Sequence, residues 1–155
     1  MKYNTDDLII RRLTGKDITI AKTLFKVLQE VFEEEKTGEV SEGHIIRLLN
    51  NSAFVCLVAI YKNEVIGGLT AYDLPMYNSE KPELFIYDIA IKPHFQRLGF
   101  GKELMNVIKD YCAKNSIKQL FVDANEEDTH ALDFYRSMNG REEKVVQFTF
   151  DNPAD

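Results

Sequence analysis

The sequence predicts a mixed α/β fold: one central mixed sheet flanked by helices, in the order β-α-α-β-β-β-α-β-α-β. Three observations carry that prediction. Short apolar runs of strand character alternate with segments whose apolar residues recur at intervals of three and four. One run, Leu84 to Tyr87 and Ile89 to Ile91, is apolar on both faces and broken only by Asp88, as in a strand covered on two sides. The 155 residues suffice for one domain with a real core, and no linker, repeat or low-complexity segment divides them, so residues 1–155 read as a single domain.

Taken in order, residues 8–13 read as a first strand. Thr14, with Asp17 three residues on, reads as the N-cap of a helix whose face is Ile18, Ala21, Leu24, Phe25, Leu28, Val31 and Phe32. That helix runs into Glu33-Glu34-Glu35 and stops near Gly38. Ser41 opens a shorter helix carrying Ile45, Ile46, Leu48 and Leu49. Residues 54–61 and 65–74 read as strands joined by a hairpin-like connection, and Gly67-Gly68 marks a close backbone approach or a bulge. Residues 75–82 read as a polar loop ahead of the central strand. After Gly101, Leu104, Val107, Ile108 and Tyr111 predict an amphipathic helix. A short strand at 120–122 and an acidic loop at 123–128 follow. Thr129 then caps a helix carrying Ala131, Leu132, Phe134, Tyr135 and Met138, and 141–150 reads as the last strand or strand pair.

Composition narrows the function. Nineteen basic against 25 acidic residues give a net charge of −6, which argues against a nucleic-acid partner. No apolar run approaches the roughly 20 residues that cross a bilayer, and the first residues lack a hydrophobic signal core. The two cysteines, Cys56 and Cys112, offer neither a disulfide framework nor metal-ligand spacing. These points lead to the expectation of a cytoplasmic protein with no membrane partner and no metal. Positive charge is concentrated where Lys92, His94, Arg97 and Lys102 lie without an intervening acid. Two acidic clusters, Glu33 to Glu35 with Glu39 and Glu42, and Asp123 with Glu126 to Asp128, lie elsewhere.

A helix that starts just after glycines presents free backbone N–H groups and the positive end of its dipole, which suits a phosphate or pyrophosphate. The Walker loop is excluded because Glu103 follows Lys102 where Ser or Thr is needed. The dinucleotide fingerprint is excluded because Leu104 stands where the third glycine belongs. What remains is Gln96-x-x-Gly99-x-Gly101, between a strand and a helix. It resembles the acetyl-coenzyme A signature of the GCN5-related N-acetyltransferases (GNAT), whose element order the chain matches nearly throughout. Ile86 to Ala90, Ala131-x-x-Phe134-Tyr135 and Arg141-Glu142-Glu143 resemble the branch acting on the 3-amino group of aminoglycosides. Two departures stand out. Met138-Asn139-Gly140 replaces the usual Leu-Gly-aromatic, where Asn tolerates the same left-handed cap, and Asn125 replaces an acid.

The resemblance implies acetyl-CoA as cofactor. The main chain of Gln96, Arg97, Leu98, Gly99, Phe100, Gly101 and Lys102 would hold the pyrophosphate, and that of Ile89, Ala90 and Ile91 would pair with the pantetheine arm. The N–H of Ile89 would also stabilise the oxyanion, and Tyr135 would stand by the sulfur as general acid. Packing of the Tyr135 ring in the core is the structural alternative. Asp88 is a carboxylate in an apolar strand, costly unless paired or functional. It would anchor the substrate ammonium and accept its proton directly or through water; the alternative is a structural acid closing the strand pair. Glu83 and Glu142 are weaker base candidates, His94 is a phosphate-side or surface residue, and His44 and His130 are structural or exposed.

The acceptor is expected along the first two helices and the acidic loop. There Glu34, Glu35, Glu126, Glu127, Asp128 and Glu142 suit a polycation, although such charge runs are also ordinary solvated faces. The function expected is therefore an acetyl-CoA-dependent N-acetyltransferase acting on a polycationic small molecule, the 3-amino group of an aminoglycoside first. Attack is direct, in a ternary complex, because no cysteine lies at the strand–loop junction. The alternatives are a GNAT acting on a polyamine or protein amine and a non-catalytic acyl-CoA-binding module. A homodimer is also expected from the family, with no surface assigned.

Overall fold

The computed structural model describes residues 3–35 and 38–154. Its elements are β1 (Leu8–Arg12), α1 (Ile18–Val31), α2 (Glu42–Asn50), β2 (Phe54–Tyr61), β3 (Glu64–Met76), β4 (Ser79–Ile91), α3 (Phe100–Lys114), β5 (Gln119–Val122) and α4 (Thr129–Ser137). The chain divides into two compact units, Met1–Asp123 and Ala124–Asp155.

The first unit holds one sheet in the order β1-β2-β3-β4-β5, antiparallel except for the parallel pair β4/β5. Every residue of β2 but Ile60 is buried, because both faces of the sheet are covered. Phe54, Cys56 and Val58 join Leu24 and Leu28 of α1 and Ile45 and Leu49 of α2 in one core. On the opposite face, Tyr61 packs its ring 4.9 Å from that of Phe100, the first residue of α3. Leu24 is fully buried, worth roughly 2 kcal/mol of transfer free energy for such a side chain. The paired glycines explain how α1 comes so close. A Cβ on Gly68 would stand 2.3 Å from Leu57 O and 2.8 Å from Leu24 Cδ1, and one on Gly67 would stand 2.2 Å from Ala90 O.

Four local expectations are corrected. Residues 75–82 are not a loop: β3 and β4 run on to a tight turn at Tyr77-Asn78, with Met76 opposite Ser79. Pro75 and Pro82 fall where the register slips between the Leu74–Glu83 and Met76–Ser79 pairs, so their missing N–H groups interrupt no regular ladder. The N-cap of α1 is Asp17 rather than Thr14. Its carboxylate is taken by the Arg11 guanidinium at 2.9 Å and the Thr14 N–H at 2.8 Å, which delays the helix by three residues.

The third correction concerns 141–150, which belong to no strand among the described elements. Apolar alternation reports strand propensity, but a strand exists only where a neighbour pairs with it, and no described ladder includes these residues. In the second unit α4 is capped by Asp128, not Thr129: its carboxylate accepts from Ala131 N at 3.0 Å. At the other end Asn139 takes the left-handed conformation (φ 62°), and Gly140 N donates to Tyr135 O at 2.9 Å, as the sequence leads one to expect.

Candidate active site

The site begins where β4 loses a neighbour. Its parallel pairing with β5 runs from Glu83 opposite Gln119 to Ile86 opposite Val122 and stops there. Beyond it, Asp88, Ile89, Ala90 and Ile91 still pair with β3 on the other side. Among the described strands, one edge of the main chain of Ile89, Ala90 and Ile91 has no partner, the requirement for receiving an extended amide-bearing ligand.

Just past that edge the chain turns. Lys92 N donates to Ile66 O at 2.8 Å, residues Pro93–Phe95 make one 3-10 turn, and Gln96 Nε2 donates to Ile91 O at 2.9 Å. The Gln96 side chain therefore pins the loop to the end of β4. Arg97 (φ 61°) and Gly99 (φ 92°) are both left-handed, and such turns curl successive N–H groups toward a common point. Gly99 is the N-cap of α3 and offers no side-chain acceptor; the first in-helix bond is Glu103 N to Gly99 O at 3.1 Å. The amides of Phe100, Gly101 and Lys102 thus precede the helical hydrogen-bond ladder. A Cβ at Gly99 would meet nothing within 4 Å, so the space beside the turn is open. The residues present fit a pyrophosphate. Phe100 serves by its amide alone, because its ring is buried against Tyr61 and Phe95. Lys92, at the start of this stretch, is paired with Glu64 at 2.9 Å.

Asp88 stands on the face of β4 that looks toward α1 and α2. Cys56, Thr70 and Asp88 are register partners across β2, β3 and β4, and Thr70 Oγ1 donates to Asp88 Oδ2 at 2.6 Å. A bulge at Tyr87, between the Ile86–Ala71 and Asp88–Thr70 pairs, lets two consecutive residues face the same space. That space is a cavity of about 420 Å³, lined by Asp88, Tyr87, Thr70 and Tyr72 from the sheet and by Phe25, Glu34 and His44 among others. Burial, followed by the charge of Asp88, raises the pKa of the Tyr72 phenol. Cys56 is pushed to about 12 and Cys112 to about 11, both chiefly by burial, so neither is a thiolate at neutral pH.

The predicted substrate acids divide. Glu34 lines the cavity with Asp88; Glu35, its neighbour, is exposed and outside the lining. In the second unit Glu126 pairs with Lys144 at 3.5 Å, Asp128 is spent as a helix cap, and Glu127 is exposed. Glu142 receives a 2.6 Å hydrogen bond from Arg136, which lowers its pKa. Tyr135, on α4, has its phenol pushed to about 12 by burial and then by the charge of Asp128. Glu83 sits in the paired part of β4, opposite Gln119. Sequence reasoning missed Thr70, Tyr72 and Phe25. Their signal was the period-two alternation placing Thr70 and Tyr72 on one face, which has meaning only once β3 is known to adjoin β4.

The description of the Acetyltransferase (GNAT) family matches residues 21–140. The chain belongs to the GNAT family. This GNAT is thus an N-acetyltransferase, and members of its family draw the acetyl group from acetyl-CoA. It is 26% identical to the uncharacterized N-acetyltransferase YhfO of Bacillus subtilis (strain 168) over 147 residues, 94% of this chain and 98% of the relative. Among solved structures it resembles the aminoglycoside acetyltransferase meta-AAC0020 from an uncultured soil metagenomic sample, in complex with sisomicin. That likeness has a TM-score of 0.92 at 36% identity, over 96% of this chain and 99% of the other. A second aminoglycoside acetyltransferase of such origin, HMB0005, matches at TM-score 0.89 and 29% identity, over 94% and 98% of the two chains. The mixed sheet flanked by helices is the fold that the sequence predicts.

Proposed function

We propose that this GNAT acetylates a primary amine of an aminoglycoside, at the 3-amino position, by direct attack of that amine on acetyl-CoA. The observation that carries this reading is Asp88: a carboxylate held by Thr70 at 2.6 Å, facing a cavity of about 420 Å³ on the strand whose edge opens beside it. The likeness to meta-AAC0020, an aminoglycoside acetyltransferase solved with sisomicin, supports the substrate class.

Acetyl-CoA supplies an acetyl group activated as a thioester. The chain's own residues bind, orient and move protons. The amides of Phe100, Gly101 and Lys102 would hold the diphosphate, the open edge of Ile89 to Ile91 would receive the pantetheine arm, and the Ile89 N–H would be a donor for a developing oxyanion. Asp88 draws an ammonium into the cavity and takes its proton, leaving a neutral amine able to attack. Glu34 offers a second carboxylate to a substrate that carries several ammonium groups. Tyr135 would serve as proton donor to the departing thiol, since a phenol at about 12 stays protonated at working pH. Cys56 and Cys112, held as neutral thiols, form no acyl-enzyme.

The test is a thiol-release assay on purified protein with acetyl-CoA and a panel of aminoglycosides, polyamines and a lysine peptide, with products assigned by NMR. Acetylation of an aminoglycoside 3-amino group is the expected result. Turnover confined to polyamines or peptides moves the substrate class, and binding of acetyl-CoA with no turnover of any amine leaves only a binding module.

A further inference from the structure

Tyr87 keeps 66% of its surface exposed, although it stands in β4 between buried Ile86 and half-buried Asp88. Its ring is nevertheless braced. The plane is nearly perpendicular to that of Tyr72 (centroids 6.0 Å apart, 83°) and to that of Phe85 (5.8 Å, 78°). Phe85 in turn stacks on Phe121 of β5 at 4.9 Å, so the support runs across three strands. Neither neighbour lies parallel to the Tyr87 ring, so neither caps one of its faces by stacking. A ring this exposed offers π surface to the space it borders.

That space is the cavity of Asp88. Tyr87 is the extra residue of the β4 bulge, and ring and carboxylate therefore share one wall, where a regular strand would send consecutive side chains to opposite faces. Phe25 and Leu28 of α1, Ile45 and Leu48 of α2, and Val40 between these helices add apolar lining, with Glu34 as a second carboxylate. The cavity is thus largely apolar and carries acids at two points. It suits a compact molecule with an apolar face better than a chain whose charges recur along its length.

We infer that Tyr87 is a specificity-determining platform: its ring carries the aminated six-membered ring whose ammonium group Asp88 receives. This rests on the reading of the acceptor as an aminoglycoside. C–H bonds beside ammonium-bearing carbons are polarised positive, and the face of an aromatic ring is the negative part of its quadrupole. A saturated ring presents several such hydrogens at once on a rigid face. A linear polyamine presents them one methylene at a time and loses chain entropy to lie flat. The platform therefore separates ring amines from chain amines of similar charge, which carboxylates alone do not.

The test is calorimetry on the full chain saturated with coenzyme A, titrated with an aminoglycoside and with spermine. Tyr87→Leu should weaken the aminoglycoside by about tenfold or more, and Tyr87→Phe, which keeps the ring, by less than about twofold. Both variants should change spermine and coenzyme A affinity by less than about twofold. Tyr77→Leu, at an exposed tyrosine in the β3–β4 turn outside the cavity lining, should leave every affinity unchanged. Thermal melts establish that the variants are folded, and Tyr87→Thr, a strand-favouring change, replaces Tyr87→Leu should that variant melt early. Unchanged aminoglycoside binding without the ring overturns the inference. So does an equal loss for spermine, and so does a loss in Tyr87→Phe as large as in Tyr87→Leu. A chain that shows the expected binding pattern yet acetylates no aminoglycoside contradicts the proposed reaction and leaves the platform standing. A native chain that binds no aminoglycoside overturns both.

Discussion

Thr70 and Asp88 are register partners on adjacent strands, and the Thr70 hydroxyl donates a 2.6 Å hydrogen bond to the Asp88 carboxylate. Thr70 is itself only 6% exposed, so this bond fixes the carboxylate from the buried side and points its reach into the cavity. Thr70→Val keeps the shape and deletes the donor. The expected outcome is a kcat/KM about tenfold lower, equivalent to roughly 1.4 kcal/mol, with acetyl-CoA affinity unchanged. Thr70→Ser should restore most of the loss, which a purely structural role of the methyl group would not allow. Steady-state kinetics on the three proteins checks this.

Gly99 is the residue whose backbone the cofactor site depends on. At φ 92° any side chain is strained, although the space beside it is open. Gly99→Ala should therefore cost about 1–2 kcal/mol, the penalty of a left-handed residue with a Cβ. If the turn relaxes to escape that strain, the amides ahead of Glu103 lose their aim. Calorimetry should then show coenzyme A binding weakened by about tenfold or more.

Tyr135 gives a pH prediction with a definite sign. Its phenol stands at about 12 in the folded chain, against an ordinary value near 10. The folded state therefore favours the protonated form, and the stabilisation is complete below about pH 10 and lost as pH rises through about 12. Tyr135→Phe should flatten that alkaline loss in thermal melts. The same variant should lower kcat while leaving coenzyme A affinity unchanged; an undiminished kcat would remove Tyr135 from the reaction.

The cysteines should be chemically silent. With thiols at about 12 and about 11, Cys56 and Cys112 should resist iodoacetamide at neutral pH in the native protein. Cys112→Ala should retain full turnover. Cys56→Ala, at a site 1% exposed, should cost roughly 1 kcal/mol of stability through lost packing and still support acetyl transfer. Initial-velocity lines should intersect rather than run parallel.

How much of this was legible in the sequence depended on whether a feature was local. The bounds of β2, the turn through Gly99 and the left-handed Asn139 are written in neighbouring residues, and Asp88 stood out because its run was otherwise apolar. The hairpin through Pro75 and Pro82 was not legible: only the register slip opposite Leu74 to Met76 makes the prolines tolerable, and register belongs to two strands together. Residues 141–150 read as a strand for the converse reason, since their alternation is real and no described ladder includes them. Thr70, Tyr72 and Phe25 reach the cavity from β3 and α1, elements far apart in the chain, and no spacing rule joins them. A charge count cannot see that Glu126, Asp128 and Glu142 engage Lys144, a helix terminus and Arg136.

The most direct test is initial-rate kinetics with acetyl-CoA and an aminoglycoside on the native chain and on Asp88→Asn, alongside coenzyme A binding to both. Acetylation of the aminoglycoside by the native chain, falling about 100-fold or more in the variant while coenzyme A affinity holds, is the predicted result. Undiminished acetylation by Asp88→Asn would contradict it.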